Sequence, residues 1–177
     1  LREKQEAIRE LRRLATPEAA QALSLALGDD NGRVRKAAIA ALRRIGSDEA
    51  MAAIASTLSS TDPVLRSQAV AALASGNADT SAQYLALALD DRDPGVRVAA
   101  LEALADMPFG QVPTQAAVAA LTRALQDEDV QVRMQAVDSL EEIGGAVAFE
   151  TLMLAKRNSN AEVARAATES LPSDALQ

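Results

Sequence analysis

The chain contains no cysteine, no histidine and no tryptophan, and its aromatic side chains are limited to Tyr84, Phe109 and Phe149. Lack of cysteine excludes disulfides, thiolate metal sites and thiol nucleophiles, and leaves the redox compartment open. Lack of histidine removes the commonest general base and metal ligand as well. No G-x-G-x-x-G, P-loop or G-x-S-x-G stretch occurs. Together these absences predict no catalytic residues, no cofactor and no metal, and so a protein that is not an enzyme. No apolar run approaches a membrane span, so this segment is expected not to insert directly in a membrane but to be soluble, in cytoplasm or periplasm. The first residue is Leu rather than Met, which reads as a processed or excised piece with room for a signal or anchor upstream.

What fills the 177 residues is aliphatic: 49% are hydrophobic and 40 are alanine. A core poor in rings must be built from Leu, Ile, Val and Ala at close approach, which helices packed through alanine faces do well. Net charge is −7, a balance that opposes attraction to phosphate, so nucleic acid is not an expected partner. The charge is uneven. Residues 1 to 47 carry ten Lys/Arg against six Asp/Glu, and residues 48 to 177 carry eight against nineteen, predicting a positive end and a negative body. Fifteen Arg against three Lys, with the alanine content, fits a bacterial source with a GC-rich genome.

One register recurs along the chain: NGRVRKAAIAAL at 31 to 42, DPVLRSQAVAAL at 62 to 73, DPGVRVAALEAL at 93 to 104, DVQVRMQAVDSL at 129 to 140 and a degenerate NAEVARAATESL at 160 to 171. Its basic column is Lys4, Arg35, Arg66, Arg97 and Arg133, with Ala164 last, so the spacings are 31, 31, 31, 36 and 31. Each unit reads as two helices. The second opens on an Asx residue (Asn31, Asp62, Asp93, Asp129, Asn160) whose side chain can accept from an orphan N–H of the first turn. Pro63 and Pro94 follow where a missing N–H is harmless. The first helix shows apolar residues at i, i+3 and i+7: Ala20/Leu23/Leu27, Met51/Ile54/Leu58, Ala82/Leu85/Leu89, Val118/Leu121/Leu125 and Phe149/Leu152 with Lys156. Gly46, Gly76 and Gly144 are expected to close second helices as C-caps. Each Arg lies one turn into an apolar helix face and must therefore find carboxylate or carbonyl partners, which a stacked neighbour supplies.

A helical pair of about 31 residues carrying D-P-x-V-R and then A-x-x-A-L resembles the short HEAT repeat, of the kind found in phycobilin lyase subunits and bacterial scaffold proteins. The resemblance covers essentially the whole chain and implies an all-α, right-handed α-solenoid of stacked antiparallel helical pairs. Its expected division is a half repeat at 1–14, repeats at 15–46, 47–77 and 78–107, an inserted loop at 108–113, a repeat at 114–144 and a degenerate capping repeat at 145–177. It also implies an interhelical ladder in which Asn31, Asp62, Asp93 and Asp129 serve with Arg35, Arg66, Arg97 and Arg133. HEAT-like di-iron hydroxylases need His-Glu pairs and HEAT-like DNA glycosylases need a basic aromatic face. This chain departs from both.

Second helices line the concave side of such a stack, where binding usually occurs. The candidate partner-binding residues are accordingly Lys36, Arg43, Arg44, Gln68, Glu102, Gln135, Asp138, Glu141 and Glu142, graded from basic to acidic, with Phe109 on the inserted loop as a further anchor or a plug. Tyr84 and the four methionines read as packing residues. Acids at Asp90/Asp91/Asp93 and Asp127/Glu128/Asp129 resemble Ca²⁺ ligands in type, yet capping accounts for one of each group. The expected function is a non-catalytic scaffold for a protein or peptide partner. Two alternatives remain at this level: an accessory enzyme subunit that holds a chromophore or client, as in the phycobilin lyases, and a module that is monomeric or self-associates in a salt-sensitive way.

Overall fold

The computed structural model describes residues 1–76, 78–106, 115–157 and 160–171; Phe109 and the inserted loop lie outside these. Two compact units divide the chain after Tyr84. The first holds α1 (Arg2–Leu14), α2 (Pro17–Ala26), α3 (Gly32–Ile45), α4 (Asp48–Ser56) and α5 (Pro63–Leu73), and α6 (Ala78–Ala88) crosses the division. The second continues with α7 (Pro94–Ala105), α8 (Gln115–Ala124), α9 (Val130–Ile143), α10 (Gly145–Ala155) and α11 (Ala161–Glu169). Among the described residues there are eleven α-helices and no strand, the all-α repeat architecture that the periodicity predicts.

Within the first unit α1, α3 and α5 pack side by side as one layer, and α2 and α4 as another, with consecutive helices paired across the layers. The second unit repeats the plan, with α7, α9 and α11 in one layer and α8 and α10 in the other. Each second helix starts on its expected Asx residue. Asn31 Oδ1 accepts from Arg33 N at 2.9 Å, Asp62 Oδ1 from Val64 N at 2.9 Å, Asp93 Oδ1 from Gly95 N at 2.9 Å, Asp129 Oδ1 from Gln131 N at 2.8 Å and Asn160 Oδ1 from Glu162 N at 3.0 Å. Two first helices have caps that their sequences do not advertise as strongly. Thr16 Oγ1 accepts from Ala19 N and Ser47 Oγ from Ala50 N, both at 3.2 Å.

The core follows the helical period. Leu23, Leu42, Met51, Ile54, Leu73 and Val70 are buried in the first unit, and Leu85, Val96, Leu101, Leu121, Val132 and Leu140 in the second. Alanines at 19, 20, 38, 41, 50, 69 and 72 let the helices approach closely in the first unit. One expected core position is displaced. Leu58 is only half-buried because α4 tightens into a 3₁₀ turn over Thr57–Ser59, which turns Thr57 inward with its hydroxyl donating to Ile54 O at 2.7 Å. Phe149 and Lys156 are likewise half-buried at the weaker, last first-helix, Met134 and Met153 are half-buried, and Tyr84 is half-buried on α6.

The glycines divide by role. Gly46, at φ 68°, and Gly144, at φ 61°, close α3 and α9, and their amides donate to Leu42 O and Leu140 O. Gly76 is not a C-cap: α5 ends at Leu73, and Gly76 has no positive φ. A methyl group there would stand 2.7 Å from Met51 Sδ and 2.8 Å from Ser81 Oγ and would force those side chains to move, so close approach, not handedness, favours this glycine.

Ser139 introduces the one polar side chain of α9 that is fully buried, and its Oγ has no hydrogen-bond partner. The same repeat position holds Ala41, Ala72 and Ala103. Ser139→Ala is therefore expected to stabilise the fold by about 1 kcal/mol, by removing an unsatisfied hydroxyl. A thermal melt checks this, and an unchanged or lowered Tm would show that the hydroxyl is satisfied in solution.

Candidate functional site

Each ladder arginine is committed to backbone before it reaches any other group. Arg35 Nη1 donates to the carbonyls of Asp29 (3.0 Å) and Asp30 (3.1 Å), and Arg66 Nη1 to those of Ser60 (2.9 Å) and Thr61 (3.3 Å). Arg97 Nη1 donates to Asp91 O at 2.8 Å, and Arg133 Nη1 to Asp127 O (2.7 Å) and Glu128 O (3.0 Å). The guanidinium thus ties its helix to the loop that precedes it. Its second nitrogen reaches forward: Arg35 Nη2 donates to Asp62 Oδ2 at 2.9 Å and Arg97 Nη2 to Asp127 Oδ1 at 2.6 Å. Lys4, at the equivalent position of α1, pairs with Asp29.

The acid partner is not always the helix cap. Asp62 caps α5 and also receives Arg35, but Arg97 goes to Asp127, two residues ahead of the cap Asp129. Asp129 spends its Oδ1 on the amides of Gln131 and Val132. Position cap minus two has its own local task, because Asp29 Oδ1, Ser60 Oγ, Asp91 Oδ1 and Asp127 Oδ1 each accept the amide of the cap residue at 2.8–3.2 Å. A carboxylate there offers the basic column a negative charge as well as a free oxygen or lone pair; the neutral hydroxyl of Ser60 offers no charge, and Arg35 pairs with the cap Asp62 instead. The recurrence of Asp at 29, 91 and 127 was the available sequence signal.

Among the described residues, no group of three or more acids is arranged to hold a metal ion. In the acidic stretches, Asp91, Asp127 and the caps are used as hydrogen-bond acceptors, while Asp90 pairs with Arg123 at 2.9 Å on the surface.

These networks set charge states. Lys4 and the Asn31 amide hold the Asp29 carboxyl below its ordinary value, and Asp29 in turn raises Lys4. Desolvation pushes Asp62 upward, but the amides of Val64 and Leu65 together with Arg35 outweigh it and leave the carboxyl lowered. Helix-end amides, with Thr16 and Ser47, lower Glu18 and Glu49. A carboxyl depressed in the folded state contributes stability that is present above its unfolded pKa of about 4 and lost as pH falls through the folded value. With no histidine or cysteine, stability is expected to be flat between about pH 5 and 8 and to fall below pH 4. Thermal melts across this range check it; Asp62→Asn, which keeps the cap oxygen, should blunt the acid loss, and a Tm insensitive to pH down to 3 would contradict it.

The residues expected from the sequence to serve recognition lie on the second helices, apart from Phe109. Lys36, Arg43 and Arg44 on α3, Glu102 on α7 and Asp138, Glu141 and Glu142 on α9 are exposed, while Gln68 on α5 and Gln135 on α9 are half-buried. Lys36 and Gln68 come together in a cleft of about 240 Å³ between α3 and α5, with Gly32, Arg33, Arg35, Asp62, Val64 and Leu65. That is smaller than the usual small-molecule pocket. No described helix is long and apolar enough to cross a membrane.

A family model of HEAT repeats matches residues 2–74 and 81–172. No curated protein matches the sequence. Among solved structures, the chain is similar to Pds5 in the Pds5–Scc1 complex (TM-score 0.70, 16% identity, 94% of this chain and 32% of that chain). It is similar to a designed armadillo repeat protein in complex with the peptide (KR)4 (TM-score 0.57, 22% identity, 94% and 90%). A third likeness is to the CpcE–CpcF complex of phycocyanin lyase from Nostoc sp. PCC7120 (TM-score 0.53, 21% identity, 89% and 65%). At these identities the likenesses establish the fold.

Proposed function

The chain belongs to the HEAT-repeat family, and from that premise we propose that it is a non-catalytic scaffold which binds a protein or peptide segment through exposed side chains of its second helices. The observation that carries this reading is the sorting of exposed charge on the second helices of the two units: Arg43 and Arg44 end α3 in the first, whereas Glu141 and Glu142 end α9 in the second. The ladder arginines are occupied by backbone carbonyls and acids, so they support the surface and leave recognition to the side chains beside them. A similar fold holds a basic peptide in the designed armadillo protein, which makes a basic segment a reasonable ligand for the acidic side chains of the second unit.

The test uses a fluorescent eight-residue Lys/Arg peptide and anisotropy. Binding is expected to weaken with salt and to fall about tenfold or more when Asp138, Glu141 and Glu142 are changed to Lys. Affinity indifferent to those changes would place recognition elsewhere, and no binding in low salt would remove the basic segment as ligand.

A further inference from the structure

Three positions of the second helix change sign along the chain while keeping their place in the repeat. Arg9 corresponds to Ala40, Ala71, Glu102, Asp138 and Glu169; Arg12 to Arg43, Ala74, Ala105 and Glu141; Arg13 to Arg44, Ser75, Asp106 and Glu142. All eleven of the charged residues among these are exposed. In the first unit α1 and α3 pack side by side, so five guanidiniums share one face. In the second unit α7, α9 and α11 pack in the same manner, and six carboxylates share the corresponding face. Arg13 pairs with the exposed Glu10 at 3.2 Å, and Glu141 accepts from Ser170 Oγ at 2.9 Å. The other nine have no side-chain partner among the described residues.

Helix electrostatics treat the two sets differently. Arginine in a last turn faces the negative end of the macrodipole and is favoured there; Glu141, Glu142 and Glu169 occupy the same turn against it, with Asp106 as the C-cap of α7. Local stability therefore explains the arginines and not the acids. A cationic face of the same helical spacing does explain them, because two surfaces built on one repeat have matched rises and matched interhelical distances. The chain itself carries such a face. We propose that the arginine face of α1 and α3 in one copy docks on the acidic face of α7, α9 and α11 in a second copy, giving head-to-tail self-association.

This rests on the reading of the second-helix face as a binding surface, and names its occupant. The contact is heterologous, since different surfaces meet, so a pair of copies keeps one free face of each sign and can bind further copies. The pairs are exposed and individually weak, which makes the association salt-dependent.

Sedimentation velocity of the whole chain tests it, at about 0.01 M salt, where screening reaches about 30 Å, and at 1 M, where it reaches about 3 Å. Dimers and higher species are expected at low salt and a monomer at high salt. Reversal of the arginine face (R12E/R13E/R43E/R44E) or of the acidic face (E102R/D138R/E141R/E142R) should each give a monomer, and an equimolar mixture of the two variants should associate again. Circular dichroism verifies that each remains helical; the neutral Arg43→Gln/Arg44→Gln pair, with weaker association expected, serves if a reversed chain unfolds. A wild-type monomer at low salt, association that survives in either reversed variant, or a mixture that stays monomeric would overturn the proposal. If the Lys/Arg peptide still binds while the wild type stays monomeric, self-docking fails and the scaffold reading stands; if neither binds, both fail.

Discussion

Leu73→Ala is expected to lower the unfolding free energy by about 2–5 kcal/mol. Leu73 is 0% exposed in the last turn of α5, in the layer where α5 packs on α3 and beside α4. The size of the loss depends on whether neighbours can close the cavity. Here they have little freedom to do so, because Ala41, Ala50, Ala69 and Ala72 already hold the helices at close range. Small side chains cannot extend into the void, and backbones in contact cannot move nearer. Urea unfolding should show a lower midpoint at unchanged slope. A loss well under 1 kcal/mol would mean that the α4–α5 hairpin is loosely packed, contrary to the burial of Met51, Ile54 and Val70.

The second large effect is expected at Arg97. Its side chain is 7% exposed and that of its partner Asp127 is 14% exposed. Arg97→Ala removes the donor to Asp91 O and strands the Asp127 carboxylate in a poorly solvated place, a loss of about 3–5 kcal/mol. Arg97→Lys should recover only part, because one ammonium cannot reproduce the planar fork that serves a carbonyl and a carboxylate together. Arg35→Ala should be milder, since Arg35 and Asp62 are 22% and 37% exposed and water can replace part of the pair. Thermal unfolding of the three variants gives the order. If Arg97→Ala left stability unchanged, the ladder would be no structural element and its arginines would become ligand-binding candidates.

Much of this arrangement was legible beforehand. The 31-residue period, the Asx caps and the i, i+3, i+7 apolar positions are local properties, and local hydrogen bonding and helical geometry suffice to read them. The demand of Arg97 for buried partners was also readable, because a guanidinium in an apolar stretch has to be paired. Which acid answers it was not, since Asp127 and Asp129 are both within reach in sequence and only the loop geometry assigns one to the amide of the cap and the guanidinium and the other to the cap itself. Gly76 departs from the expected C-cap for a similar reason. Its neighbours Met51 and Ser81 lie far from it in one direction or on another helix, so the crowding that a Cβ would meet is invisible in the local string.

The sequence by itself determined the helices, their caps and the order in which they stack, because each depends on residues within one repeat and on a face that must be buried. Tertiary structure alone decided the partners that span repeats and the neighbours that crowd Gly76. It also decided the fate of the 3₁₀ turn at Thr57, and which charged side chains remain without partners on the second-helix face. The physical division lies in range: capping and periodicity act over one turn, whereas ion pairing and close packing depend on distances that exist only once the helices have packed.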